Sequence, residues 1–163
     1  MKRLNSHPHL FLGDHIVQVK RAMEGIWSWH SPELITPEIK RLSLALATFH
    51  DLGKASEAFQ KYINGPMSYN GDPKEKTHAP LSLLLVLLLA KESKLSYQDV
   101  LILAASSYGH HGALPVLPLY KIGDAETSGR SIDSFASGNT ALILKKQVST
   151  VDFSSLSAET EID

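Results

Sequence analysis

Apolar residues recur at helical spacing through most of the first 110 positions of the chain. Ile16, Val19, Ala22, Met23, Ile26 and Trp27 share one stripe, which predicts a helix from Gly13 or Asp14 to Trp29 with Asp14 as N-cap. Thr36 followed by Pro37 reads as an N-cap and first helical position, opening a second helix that runs through His50-Asp51 and is interrupted near Gly53. A third helix is expected over roughly Lys54 to Ile63. The turn-rich stretch NGPMSYNGDPKEK, Asn64 to Lys76, then forms a loop. A fourth helix, apolar all round, starts near His78 and ends around Lys91. A fifth opens at Ser96, with Asp99 three residues on, and continues to about Tyr108.

No alternating strand pattern stands out before about residue 115. From Tyr120 onward the chain is rich in Ser, Thr, Gly and Asp, with one apolar knot, ALILKKQV (Ala141 to Val148), that suits a short helix or a strand equally. The closing SSLSAETEID has the composition of a poorly ordered end. The expectation is therefore an all-α, compact helical domain over residues 1–118, followed by a weakly structured C-terminal tail over residues 119–163.

Composition narrows the chemistry. A length of 163 residues suits one domain, and 43% hydrophobic content can supply a core. The formal net charge of −1 announces no global basic field for nucleic acid, although a local patch could bind it. The absence of cysteine excludes disulfides, iron–sulfur clusters and thiolate zinc sites, so any metal must be held by histidine and carboxylate. The apolar run within PLSLLLVLLLAKE spans about ten residues, half of what crosses a bilayer. With no signal-peptide core at the start, a cytoplasmic protein with no membrane partner is expected.

The histidines carry the functional signal. Of eight, His7 and His9 fall in a disordered-looking start and His30 at a helix end, where exposed side chains are expected. The other five, His15, His50, His78, His110 and His111, lie near the ends of predicted helices, which a bundle can gather at one point. His50-Asp51 closes an apolar helix, so at least one of the two is drawn toward low dielectric, where a carboxylate is costly unless it is hydrogen-bonded, paired or bound to metal. His110-His111-Gly112 places two imidazoles side by side, beside a glycine that allows close backbone approach. Five imidazoles and Asp51 suit Mn, Fe, Co, Ni or Zn better than an all-oxygen magnesium cage, and exceed what one tetrahedral site needs. Two divalent ions bridged by Asp51 would use the whole set, as in two-metal phosphoester hydrolysis. Lys54, four residues after His50, lies on the same face if the helix persists, where it could stabilise phosphoryl charge.

The string HDLGKASEAFQ closely resembles the signature of the HD-type nuclease domain of the CRISPR-associated helicase–nuclease, within the HD phosphohydrolase superfamily. LGDHIVQV, THAPLSLLL and YGHHGALP resemble the family's first, third and fourth motifs in the expected order. The resemblance implies an all-helical fold with a two-metal site that cuts single-stranded DNA in type I CRISPR interference. Divalent Mn, Ni, Co, Fe or Mg would serve as cofactor. It implies that His15, His50 and Asp51 hold one metal, that Asp51, His78, His110 and His111 hold the second, and that Lys54 lies near the scissile phosphate. Ser82 follows His78 by one helical turn. It also implies a helicase subunit or domain, and the CRISPR RNA-guided target-recognition complex, as partners. Family members supply a further aspartate to the first metal from a downstream helix. Nothing in the 52 residues after His111 resembles that helix, and Asp124, Asp133 and Asp152 read as solvated loop residues.

The same site could belong instead to a phosphohydrolase acting on nucleotides, or to an inactive metal-binding or docking module. Lys54, Lys61, Lys74 and Lys76 near the motifs mildly favour an open groove with basic flanks.

Overall fold

A computed structural model describes residues 3–89, 95–111 and 138–160 of the chain. Its first element is a small antiparallel hairpin, β1 (Asn5–His7) with β2 (Leu10–Phe11), closed through Pro8 and His9. His9 takes a left-handed φ of 65° to make the turn. The sequence pattern points to no strand here, because two- and three-residue strands are too short to show alternation. His7 and His9 therefore belong to a built hairpin rather than to a disordered start.

The helices follow the hydrophobic pattern. α1 is Leu12–Trp27 and α2 is Pro37–Phe49. In α2 the Thr36 hydroxyl accepts the Ile39 N–H at 3.2 Å, and Pro37 stands where no N–H is needed. α1 starts earlier than expected: Phe11, not Asp14, precedes it, and Asp14 sits in the first turn paired with Arg3 at 3.3 Å. His50 caps the C-terminus of α2, and a 3-10 turn (Leu52–Ala55) then separates it from α3 (Glu57–Asn64). Ser56 caps α3 by accepting the Phe59 N–H. α4 covers Ala79–Leu89 and α5 covers Tyr97–Gly109. Ser96 and Asp99 form a reciprocal capping box at the start of α5.

Past residue 138 the chain is again helical, in α6 (Gly138–Ser149) and α7 (Phe153–Thr160). The apolar knot is thus a helix. Residues 154–160, expected to be poorly ordered, form α7 because Asp152 accepts the Ser155 N–H at its start and Leu156 is buried.

α4 packs on α5 and on the 3-10 turn, α1 packs on α2 and α7, and α2 rests on α5. Leu4, Leu12, Ile16, Leu52, Leu81, Leu85, Leu144, Val151 and Leu156 form the main core. Each fully buried leucine contributes roughly 1.5–3 kcal/mol. α4 is apolar around its whole circumference, with Leu81, Leu85 and Val86 buried while Leu87 and Leu88 keep 39% and 42% exposure. Among the described residues no helix is long and apolar enough to cross a membrane.

One contact fixes where the 3-10 turn lies. Gly53 packs so tightly on the start of α4 that a Cβ there would fall 2.1 Å from the His78 carbonyl oxygen and 2.8 Å from the Ser82 nitrogen. Ser82 completes the joint by accepting the Gly53 N–H at 2.9 Å. The absence of a side chain at 53 thus brings Asp51 up to His78.

Candidate metal centre

Helix ends deliver the histidines. His15 projects from the first turn of α1, His50 stands at the end of α2, and His78 immediately precedes α4. His110 and His111 follow α5. All five meet around Asp51, whose side chain is buried at the head of the 3-10 turn.

The carboxylate is divided between two sets of imidazoles. Its Oδ2 lies 3.0 Å from His15 Nε2 and 3.3 Å from His50 Nε2. Its Oδ1 lies 3.1 Å from His78 Nε2 and 3.2 Å from His110 Nε2. His111 joins the second set, with its Nε2 2.9 Å from His78 Nε2. Two groups of donor atoms result, each within a 4.8 Å span: His15, His50 and Asp51, and Asp51, His78, His110 and His111.

The sequence places Lys54 on the same face as His50 if the helix persists. The helix does not persist, and the 3-10 turn carries Lys54 Nζ to 2.7 Å from Asp51 Oδ2. The lysine is only 3% exposed and also donates to Ser6 Oγ at 3.3 Å. It is thus a buried counter-charge to Asp51. Burial alone would push the Asp51 carboxyl up. The imidazoles crowded around its two oxygens, His110 foremost, outweigh that and hold it far below the usual carboxylate range.

This donor set fits a cation. The Nδ1 of His50 lies 3.0 Å from the Ala47 carbonyl, and that of His110 lies 2.6 Å from the Ser107 carbonyl. A carbonyl oxygen only accepts, so in each ring Nδ1 carries a proton, and in the neutral form of the ring it is a bare Nε2 that faces Asp51. Two lone-pair-bearing nitrogens beside an anionic oxygen repel it unless a positive charge lies between them. Protons do not answer this across the cluster: burial holds His78 and His111 below the ordinary imidazole value, toward their neutral forms. Asp51 Oδ1 is the telling atom. It is buried with imidazole nitrogens close by, yet none makes a well-directed hydrogen bond to it. Ligands about 2.1 Å from a shared ion lie about 3.0–3.4 Å apart, and most of the nitrogen–oxygen and nitrogen–nitrogen separations here fall in or near that range. The cluster could hold a divalent metal ion.

A family model described as the HD domain of Cas3 matches residues 3–155. The chain belongs to the Cas3 HD-domain family. A CRISPR-associated nuclease/helicase Cas3 from Haloferax volcanii is 33% identical over 107 residues, which are 65% of this chain and 11% of that protein. The chain thus spans about a tenth of that relative's length. No solved structure matches it significantly. The Cas3 HD match includes α6, whose Leu144 lies in the main core, and the linker after it, whose Val151 joins the same core.

The remaining residues that the sequence singled out separate cleanly within this Cas3 HD domain. His30 is exposed at the end of α1, as expected. Asp152 is exposed and caps α7 through Ser155, at 2.9 Å to the amide and 2.7 Å to the hydroxyl. Gly112, Asp124 and Asp133 lie outside the described residues.

His7 is exposed, as the sequence reading expects, but it also borders the centre, which that reading does not foresee. Its ring meets the His15 ring edge-on at 4.8 Å between centroids, and its Nδ1 lies 2.9 Å from Ser6 Oγ. Burial, then Lys54, lowers its pKa. The hairpin is pinned to the site by buried Gln60, which accepts the Asn5 N–H and donates to the Asn5 and Lys54 carbonyls. The only sequence signal for this arrangement is Gln60 within the HDLGKASEAFQ string.

Proposed function

We propose that this Cas3 HD domain is a metal-dependent nuclease that cleaves single-stranded DNA, working with two divalent ions held on either side of Asp51. The observation that carries this reading is the division of the Asp51 carboxylate, with Oδ2 facing His15 and His50 and Oδ1 facing His78 and His110. One ion would rest on His15, His50 and Asp51. The other would rest on Asp51, His78, His110 and His111. When bound, such ions supply Lewis-acid polarisation of the phosphodiester and activation of water near neutral pH.

The protein's own part is orientation. The Ala47 and Ser107 carbonyls fix the tautomers of His50 and His110, so that Nε2 is free to bind. Lys54, 2.7 Å from Asp51 Oδ2, would hold that carboxylate in place. In this reading Lys54 acts through Asp51; at 3% exposure its approach to a phosphate would require the ion pair to open. The name of the Haloferax volcanii relative joins nuclease to helicase. That supports a helicase partner that delivers an unwound strand after an RNA-guided complex has opened the target in type I CRISPR interference.

Purified, metal-stripped protein given labelled circular single-stranded DNA and Mn, Ni, Co, Fe, Mg or Zn in turn tests the reading. Metal-dependent cutting that disappears in Asp51→Ala is the expected result. No cutting with any metal, or cutting retained in Asp51→Ala, would overturn it.

A further inference from the structure

An aromatic line leads away from the metal centre. The Phe59 ring lies edge-on to His78 at 5.3 Å between centroids, Tyr62 follows Phe59 at 6.3 Å, and Tyr69 follows Tyr62 at 5.9 Å. Phe59 is buried, whereas Tyr62 and Tyr69 are half-buried, so the line surfaces as it leaves the centre. At the surface Lys76 sets its ammonium 3.9 Å from the Tyr62 ring centroid and 6.0 Å from that of Tyr69.

The neighbouring cations differ from Lys76 in one respect. Tyr69 also lines a hollow of about 330 Å³ that contains Lys61 and Lys146. Those two are matched by carboxylates: Lys61 to Glu57 at 2.7 Å, and Lys146 to Glu75. Among the described residues Lys76 has no carboxylate partner, and two tyrosine rings hold it in place. A cation pinned on aromatic faces is pre-positioned, and it keeps its charge for an outside anion. Aromatic side chains beside a fixed cation are the pattern that grips single strands, with rings taking bases and cations taking phosphates.

We propose that Lys76, seated on Tyr62 and Tyr69, contacts a backbone phosphate of the bound single strand and directs that strand along the aromatic line to Asp51. The proposal rests on the nuclease reading and names the side from which the strand reaches the centre. The rings set its direction: the strand runs over Tyr69 and Tyr62, and the nucleotide nearest the metal centre lies beyond the Phe59–His78 contact. Selectivity follows from the same feature. A flexible single strand can offer a base to Tyr69 and a phosphate to Lys76 together, whereas the bases of a duplex are stacked out of reach.

The test is fluorescence anisotropy of metal-loaded protein with a labelled phosphorothioate oligothymidine of about 12 nucleotides, across a salt series. Lys76→Gln, Lys76→Arg and Lys40→Gln are compared with the wild type, with bound metal counted for each. Lys40 provides the control, since it lies 5.9 Å from the Trp27 ring on the α1–α2 face and its loss removes the same charge. Lys76→Gln should weaken binding roughly five- to tenfold, and the log–log salt slope should become shallower by about 0.7, the value of one phosphate contact on a single strand. Lys76→Arg should bind within about twofold of the wild type, and Lys40→Gln should be unchanged. If wild-type protein binds the strand and Lys76→Gln matches it, or Lys40→Gln is equally impaired, this proposal is overturned while the nuclease reading stands. Failure of the wild-type protein to bind any single strand overturns both.

Discussion

Lys54 Nζ lies 2.7 Å from Asp51 Oδ2, and both side chains are almost completely withdrawn from solvent. The pair ties the fold to the site, since Lys54 also reaches Ser6 in the hairpin and its carbonyl receives the Gln60 amide. Lys54→Met keeps most of the volume and removes the charge. It should lower stability by up to about 3 kcal/mol, the lower end for orphaning a buried charge, because four imidazoles still face Asp51. Urea unfolding of metal-stripped protein measures this. An unchanged midpoint would show that Lys54 has no structural role.

Gly53 carries the next prediction. Gly53→Ala forces a methyl group into the His78 carbonyl and the Ser82 amide, both backbone groups that cannot rotate aside. Overpacking of this kind costs typically about 1–3 kcal/mol. It should also push His78 away from Asp51 and reduce metal content. Thermal unfolding together with a metal count checks both effects, and a variant of wild-type stability with full metal would refute the close approach.

Asp99 offers a test by pH. The Arg41 guanidinium, 2.9 Å from Asp99 Oδ2, and the Ser96 amide hold its carboxyl below the usual range. A folded-state pKa lowered in this way contributes stability that is present above the unfolded value of about 3.9 and is lost as pH falls through the folded value. The Tm of Asp99→Asn should therefore lie below the wild type from about pH 5 to 7, with the gap closing as pH drops beneath about 4. A gap that does not vary with pH would assign the residue to hydrogen bonding alone.

The parts of this fold written into short-range pattern are legible in the sequence. The Thr36-Pro37 start, the Ser96–Asp99 capping box and the positions of His15, His50, His78, His110 and His111 at helix ends all follow from local spacing. The β hairpin is not legible, because its hold on the site depends on Gln60 reaching Asn5 across 55 positions. The contact of His7 with His15 is not legible for the same reason. The setting of Lys54 turns on a change from α to 3-10 geometry, which the close packing of Gly53 on α4 imposes and which periodicity does not report. α7 reads as poorly ordered because one buried leucine, Leu156, and one cap, Asp152, are faint signals in a polar stretch.

Counting bound manganese per chain decides whether the two oxygens of Asp51 serve two separate ions. Equilibrium dialysis of metal-stripped wild type and His15→Ala, with folding confirmed by circular dichroism, should give two ions for the wild type. His15→Ala should retain one, held by Asp51, His78, His110 and His111. A single ion in the wild type, or a count unchanged by His15→Ala, would contradict the account.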